Sequence, residues 1–436
     1  MQAFPTWKDD FDELESESTP IHWIAYGNYP SGDKERPSLQ HVIEFLHQLN
    51  NRPDDTDWSS LKRQWKKRSP VFTNLISTFR QAEADRLQAG DPTKVYLDLV
   101  NQPDSIQGWT PFHVATFVGR LDMMKVLVSN GADPFSLTIG VSRTSLHLAV
   151  ESCQLGAVEY VLGLTSSSSG AEIDINHQDM YGETALHIAV YRHFLAAAAL
   201  LLKRKGCRID LATFEGRNTP LHHAGNFCSG PIQTRILELL CSAPGNCPVD
   251  AVDDGGRPPG FLVLANPDSL RVLLRSGASL DVVDKAGASI LHHACRRNHA
   301  DALEVLLDWP SLPHALPLQP DSSGRIPLQV ALDSGCLDCA KMMLQRFGPG
   351  DLVWKDGKTL VHRATPLGDA ELLELCFKQP SFKPGCHTVE GHSTTQVAAQ
   401  HGVFKARIRQ MILHYESFVG PMPASDPEDS PSDALE

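Results

Sequence analysis

The first 150 residues of this 436-residue chain contain no cysteine, and the ten that follow are scattered between Cys153 and Cys386. A fold built on disulfides concentrates its cysteines in a small domain. The scatter excludes that design and predicts reduced, mostly buried thiols. Long apolar runs are also missing. The longest, Phe194 to Leu202, has nine residues and is bracketed by Arg192 and His193 before it and Lys203 and Arg204 after it. A membrane-spanning helix needs about 20. The N-terminus from Met1 to Glu13 carries two acidic pairs and no apolar stretch, unlike a secretory signal. These absences predict a soluble chain in the cytoplasm, the nucleus or both, with no membrane partner. Positive charge is in deficit, with 39 Lys and Arg against 52 Asp and Glu, a net charge of -13. Phosphate backbones repel such a surface, which disfavours broad nucleic-acid binding. No phosphate-cradling glycine loop, serine elbow or metalloprotease helix phrase occurs. Gly255-Gly256 follows Asp253 and Asp254, which would repel an anion. Nothing points to an enzyme, a cofactor, a metal or a small-molecule substrate.

What the chain does have is a recurring phrase. It reads Thr110-Pro-Phe-His-Val-Ala115, then Thr144-Ser-Leu-His-Leu-Ala149, Thr184-Ala-Leu-His-Ile-Ala189 and Thr219-Pro-Leu-His-His-Ala224. It returns as Ser289-Ile-Leu-His-His-Ala294, Ile326-Pro-Leu-Gln-Val-Ala331 and Thr359-Leu-Val-His-Arg-Ala364, with weak copies at Pro258–Val263 and Ser393–Ala398. Successive copies start 31 to 40 residues apart. The phrase has the chemistry of a helix start. Thr caps the free amides of the first turn, and Pro sits where its missing N–H is harmless. Leu and Ala, three residues apart, share one helical face. A glycine two or three residues upstream (Gly108, Gly182, Gly216, Gly287, Gly324, Gly357, Gly391) suits a tight hairpin. A second apolar helix follows, as in Leu121–Val128 ending at Asn130-Gly131 and Leu270–Leu274 ending at Ser276-Gly277. One such unit cannot bury its own apolar faces, whereas a stack can.

Period and phrase together resemble the ankyrin repeat. The resemblance covers about residues 91–413 and implies an all-α solenoid of about nine helix-turn-helix units with β-hairpin tips. Residues 34–90 lack the phrase but hold amphipathic spacings, such as Val42, Ile43, Leu46 and Leu49, and read as a small helical capping region. Residues 1–33 and 414–436 are acidic and read as disordered. The fifth unit has Pro258, Pro259 and Gly260 at its helix start, so a short or distorted helix is expected there. Pro310, Pro313, Pro317 and Pro320 predict a further local irregularity.

The chain's 19 histidines invite a metal reading. However, His113, His147, His187, His222, His292 and His362 all stand in the phrase and are expected to bond neighbouring backbone or hydroxyl groups. Cys336 and Cys339 form the one closely spaced cysteine pair. No second pair completes a zinc site, so core packing is expected.

The resemblance also implies a concave protein-binding surface made of hairpin tips and the exposed side of each first helix. On this sequence those positions include Trp109, Phe117, Tyr181, Tyr191, Phe214, Arg217, Arg296, Trp354 and Lys358. Trp, Tyr and Arg are the residue types that anchor interfaces. The basic cluster Lys62, Arg63, Lys66, Lys67 and Arg68 reads as a solvated helix face or a nuclear import signal. The expected function is a non-enzymatic scaffold or adaptor that binds one or more proteins. The alternatives are a nuclear transcriptional co-regulator and a targeting subunit for a separate enzyme.

Overall fold

The computed structural model describes residues 100–104, 107–165, 170, 172–243, 247–348, 359–379, 396–397 and 406–417. The contacts divide the chain into two compact units between Asp254 and Gly255. The basic cluster at 62–68, the proposed capping region and both acidic ends lie outside the described residues, as do Trp354 and Lys358.

Among the described residues the first unit contains four helix pairs: α1 (Pro111–Val118) with α2 (Leu121–Ser129), α3 (Ser145–Glu151) with α4 (Leu155–Leu162), α5 (Ala185–Tyr191) with α6 (Leu195–Leu202), and α7 (Pro220–Phe227) with α8 (Gly230–Cys241). First helices pack on first helices and second on second, giving two layers. The first helices are short and almost wholly buried: Ala185, Leu186, His187, Ile188, Ala189 and Val190 of α5 all lie inside. The second helices bury one face, which in α6 is Ala197, Ala198, Leu201 and Leu202. A first helix flanked on both sides has no solvent face along most of its length. That is why its sequence shows the phrase and not an amphipathic stripe.

The second unit opens on the anomalous repeat. Pro259–Phe261 forms a single 3-10 turn where the other repeats have a helix. Proline lacks the N–H a helix needs, and glycine adds backbone entropy to be lost. Phe261 compensates by being fully buried, its ring 5.0 Å from that of His293. There follow α9 (Pro267–Arg275), α10 (Ile290–Arg296), α11 (Ala300–Leu307), a 3-10 turn at Leu316–Leu318, α12 (Pro327–Asp333), α13 (Leu337–Phe347), α14 (Leu360–Ala364), α15 (Ala370–Phe377) and α16 (Ala406–Ser417). The proline-rich link 310–320 therefore lies inside this unit. Cys336 and Cys339 are buried, and the Cys339 thiol faces the Ala294 carbonyl at 3.7 Å. They pack the core, and among the described residues no group of three or more His, Cys, Asp or Glu is arranged to hold a metal.

The phrases that keep both Thr or Ser and His work as drawn from their chemistry, with one addition. The cap hydroxyl of Thr184 accepts the His187 N–H, and the Thr184 N–H donates back to His187 Nδ1 at 3.1 Å. Because Nδ1 accepts, the ring proton sits on Nε2, which donates to the Asn218 carbonyl of the next repeat at 3.1 Å. His113 reaches Ser136 O, His147 reaches Glu183 O and His292 reaches Arg325 O in the same way. One imidazole thus closes its own helix start and ties it to the following repeat. In the seventh copy Gln329 replaces the histidine, and its Oε1 accepts the Ile326 N–H at 3.0 Å. Ile326 has no oxygen to return the bond, so only half the reciprocal cap forms.

The burial makes a direct test of register. Leu186 is 1% exposed between neighbouring first helices. Leu186→Ala should destabilise the chain by about 2–5 kcal/mol in chemical denaturation. A loss below about 0.5 kcal/mol, the scale of a surface change, would contradict this packing.

Candidate protein-binding face

Between helix pairs the chain turns back in a tip. In four tips an aspartate starts the turn: Asp179 Oδ1 accepts from the N–H groups of Tyr181 and Glu183, Asp284 from Ala286 and Ala288, and Asp321 from Ser323 and Arg325. Asp104 does the same for Gln107 and Trp109. These side chains take over the hydrogen bonding that a strand ladder would supply. The expected β-hairpins are accordingly not ladders. Between residues that are both described there are two isolated bridges, Thr165 with Glu172 and Val283 with Ser289. The tips are too short for more.

Successive tips are linked by single backbone bonds. Ile139 N–H donates to Gly108 O at 3.1 Å, Met180 to Val141 O at 2.9 Å and Phe214 to Tyr181 O at 3.0 Å in the first unit. In the second, Lys285 donates to Gly255 O and Ser322 to Ala286 O, both at 2.9 Å. This close approach explains two of the glycines. A Cβ at Gly182, where φ is +79°, would stand 2.5 Å from the Phe214 nitrogen, and one at Gly108 would stand 2.3 Å from Ile139 Cβ.

The linked tips of the first unit carry apolar side chains outward. Ile139 is 62% exposed, Tyr181 52% and Phe214 63%, with Met180 beside them also exposed. Tyr191 and Phe227, at the ends of α5 and α7, are partly exposed and meet edge to face with centroids 5.1 Å apart. Arg192 lies 5.9 Å from the Tyr191 ring and pairs with Glu151 at 3.4 Å. Arg217 is exposed in a left-handed conformation at φ 49°. Arg296, at the end of α10, is exposed in the second unit.

Two sequence-based site assignments need correction. Trp109 and Phe117 were expected on an exposed tip and helix side, but they are half-buried against each other with centroids 5.0 Å apart. Conversely, Ile139 escaped the sequence reading. Its glycine, Gly140, precedes Thr144 by four residues instead of two or three, so the tip was not aligned with the others.

Beneath the tips lies a charge cluster that the sequence reading also missed, because its members come from separate repeats. Arg143 contacts Glu151 at 2.6 Å, Asp179 at 3.0 Å and Glu183 at 3.5 Å. Burial opposes the Arg143 charge, but the three carboxylates outweigh it and hold the guanidinium above its ordinary range. Burial, then the neighbouring Asp179 charge, pushes the Glu183 carboxyl up. The histidines respond more strongly. Burial takes His147 down to about 4, His187 to about 3 and His223 to about 4. They are neutral in the fold, as the Nε2–H tautomer requires.

The family model for ankyrin repeats in three copies matches residues 87–175, 146–252 and 262–353, more than half of the chain. The chain belongs to the ankyrin-repeat family. Among known proteins it is similar to zebrafish (Danio rerio) ZDHHC13, whose name marks a proposed palmitoyltransferase activity, at 34% identity over 43% of this chain and 27% of that protein. The B-cell lymphoma 3 protein homolog of Mus musculus is 34% identical over 26% of this chain and 25% of that protein. The chain thus spans about a quarter of the length of these two relatives. Among solved structures, the ankyrin domain of Bcl-3 aligns at 23% identity and a TM-score of 0.42, covering 51% of this chain and 94% of that one. Ankyrin repeats are a protein-interaction fold, and no helix among the described residues is long and apolar enough to cross a membrane.

The depressed histidines predict acid sensitivity with a defined sign. In the unfolded chain each titrates near 6.5, so between that value and 3–4 the unfolded state binds more protons. Stability is complete above pH 6.5 and falls as pH drops, by up to about 1.4 kcal/mol per pH unit per histidine. His187→Gln, which copies Gln329 of the seventh repeat, should shallow that slope by about one histidine's share in urea titrations from pH 7 to 4.

Proposed function

We propose that this ankyrin chain is a non-enzymatic scaffold or adaptor that holds a partner protein against the tip face of its first unit. One observation carries the reading: Ile139, Tyr181 and Phe214 stand more than half exposed on tips tied to one another, and none is needed to fill the core. Apolar side chains grouped in this way mark interaction surfaces. Tyr191, Arg217 and the Arg192–Glu151 pair would flank the contact, supplying aromatic and guanidinium groups of the kind that dominate binding energy. Trp109 and Phe117 would extend it at one end. Arg296, Trp354 and Lys358 would belong to a separate contact of the second unit.

The triple variant Ile139→Ala, Tyr181→Ala and Phe214→Ala should keep its melting temperature, because these side chains bury little. Loss of one true anchor costs at least about 2 kcal/mol, near 30-fold in Kd. Partners retained from cell extract by the immobilised full chain should therefore be lost from the folded variant. If they are retained undiminished, the binding face is elsewhere. Recovery of an enzyme among the partners would favour the role of a targeting subunit.

A second reading, a nuclear co-regulator, is favoured by the Lys62–Arg68 cluster together with the acidic segment Asp9–Glu17. Replacing Lys62, Arg63, Lys66, Lys67 and Arg68 by Ala should then move the protein out of the nucleus under fluorescence microscopy. A wild-type chain confined to the cytoplasm would end that reading.

A further inference from the structure

On the first unit, at the C-terminal end of α6, lies a pocket of about 420 Å³ whose chemistry differs from that of the tips. Lys203, Arg204 and Lys205 line it in succession, and Leu202, Ile209 and Ala243 provide apolar wall. No carboxylate is among the lining residues, in a chain whose net charge is -13. Lys203 and Lys205 make no ion pair among the described residues. Arg208 does not add to the charge, since Asp210 holds it at 2.7 and 3.1 Å.

A helix C-terminus favours a nearby cation, but that explains one positive charge and not three. The other second helices of the unit end in Ser129-Asn130, Leu162-Gly163 and Cys241-Ser242, without a cation. Arg204 already has a structural bond, donating to the Leu162 carbonyl at 2.9 Å, which fixes its guanidinium at the pocket wall. The loop beyond is also held. Asn176 Nδ2 donates to Gly206 O at 2.8 Å, and the Arg208 N–H donates to Asn176 Oδ1 at 2.8 Å. Gly206 sits at φ +86°, and the N–H groups of Lys205 and Gly206 donate to no acceptor among the described residues. Free backbone N–H groups beside a left-handed glycine, with cations around them, are the components of a phosphate cradle.

We propose that this pocket binds a phosphomonoester dianion, carried on a segment of a partner protein or free in solution. Two ammonium groups and one fixed guanidinium match the charge and the acceptor-rich surface of such a group. The apolar wall gives room for what the phosphate is attached to. An anionic membrane fits less well: the pocket is a local concavity, and the chain as a whole is repelled by such a surface.

Cys207 also lines the pocket and reports on its occupancy. Burial pushes its thiol up to about 11, so alkylation is slow enough to follow, and exposed Cys153 serves as a control in the same chain. The full-length protein is treated with N-ethylmaleimide, and modification of each cysteine is timed by peptide mass mapping. The tripeptide acetyl-Leu-phosphoserine-Leu-amide and inorganic phosphate should each slow Cys207 by about threefold or more and leave Cys153 unchanged. The unphosphorylated tripeptide should do nothing. Lys203→Gln with Lys205→Gln, both exposed and checked by circular dichroism, should abolish the protection. Protection by the tripeptide at lower concentration than by phosphate identifies a partner segment as the source, and the reverse order identifies the free anion. The proposal is overturned if neither probe slows Cys207, if the double variant is protected as well as the wild type, or if only phosphatidylserine vesicles protect.

Discussion

The interaction on which the described repeats depend most is the two-sided hydrogen bonding of one imidazole. Nδ1 accepts the backbone N–H at the start of a buried helix, and Nε2–H donates to a carbonyl of the next repeat. Helix starts leave amides unsatisfied, and leaving them so inside a stack would cost more than the bond itself returns. The histidine solves this within helices of five to eight residues that have no length to spare. It also fixes the spacing to the next repeat, so a local cap and a long-range contact are one and the same side chain. Its neutrality follows from its geometry, since a proton on Nδ1 would remove the acceptor the helix start requires.

Because stacking is settled by the phrase, the tips are relieved of structural work. Each tip is closed by its own aspartate or threonine and touches the next through a single backbone bond. Ile139, Tyr181 and Phe214 occupy positions where the side chain affects neither closure nor stacking. Apolar residues there are costly in water and unnecessary to the fold, which is the physical basis for assigning them to a partner. The end of α6 differs: there Lys203, Arg204 and Lys205 gather around a pocket that no carboxylate lines.

The repeat was legible in the sequence because its determinants are local. Thr184 and His187 stand three residues apart, and the cap they form needs nothing from elsewhere. The same holds for Pro258-Pro259-Gly260, whose effect on a helix can be read without coordinates. The site was less legible because exposure is a property of neighbours. Trp109 and Tyr181 both adjoin the glycine of a tip, one after it and the other before it, yet the first is packed on Phe117 and the second is open. Ile139 was hidden because Gly140 sits one residue earlier in its tip, Thr138–Arg143, than Gly216 does in the equally long tip Thr213–Asn218. The Arg143 cluster joins residues up to 40 apart in sequence, and no spacing rule singles them out.

The Nε2–H protons that tie repeat to repeat have a spectroscopic consequence. Held in hydrogen bonds to backbone carbonyls at about 3 Å and shut away from bulk water, they should exchange slowly enough to appear as separate downfield proton resonances. Each joint made by such a histidine would then carry its own reporter. Loosening at one joint would broaden a single line while the others stayed sharp, so the order in which the stack opens could be followed without labels or substitutions.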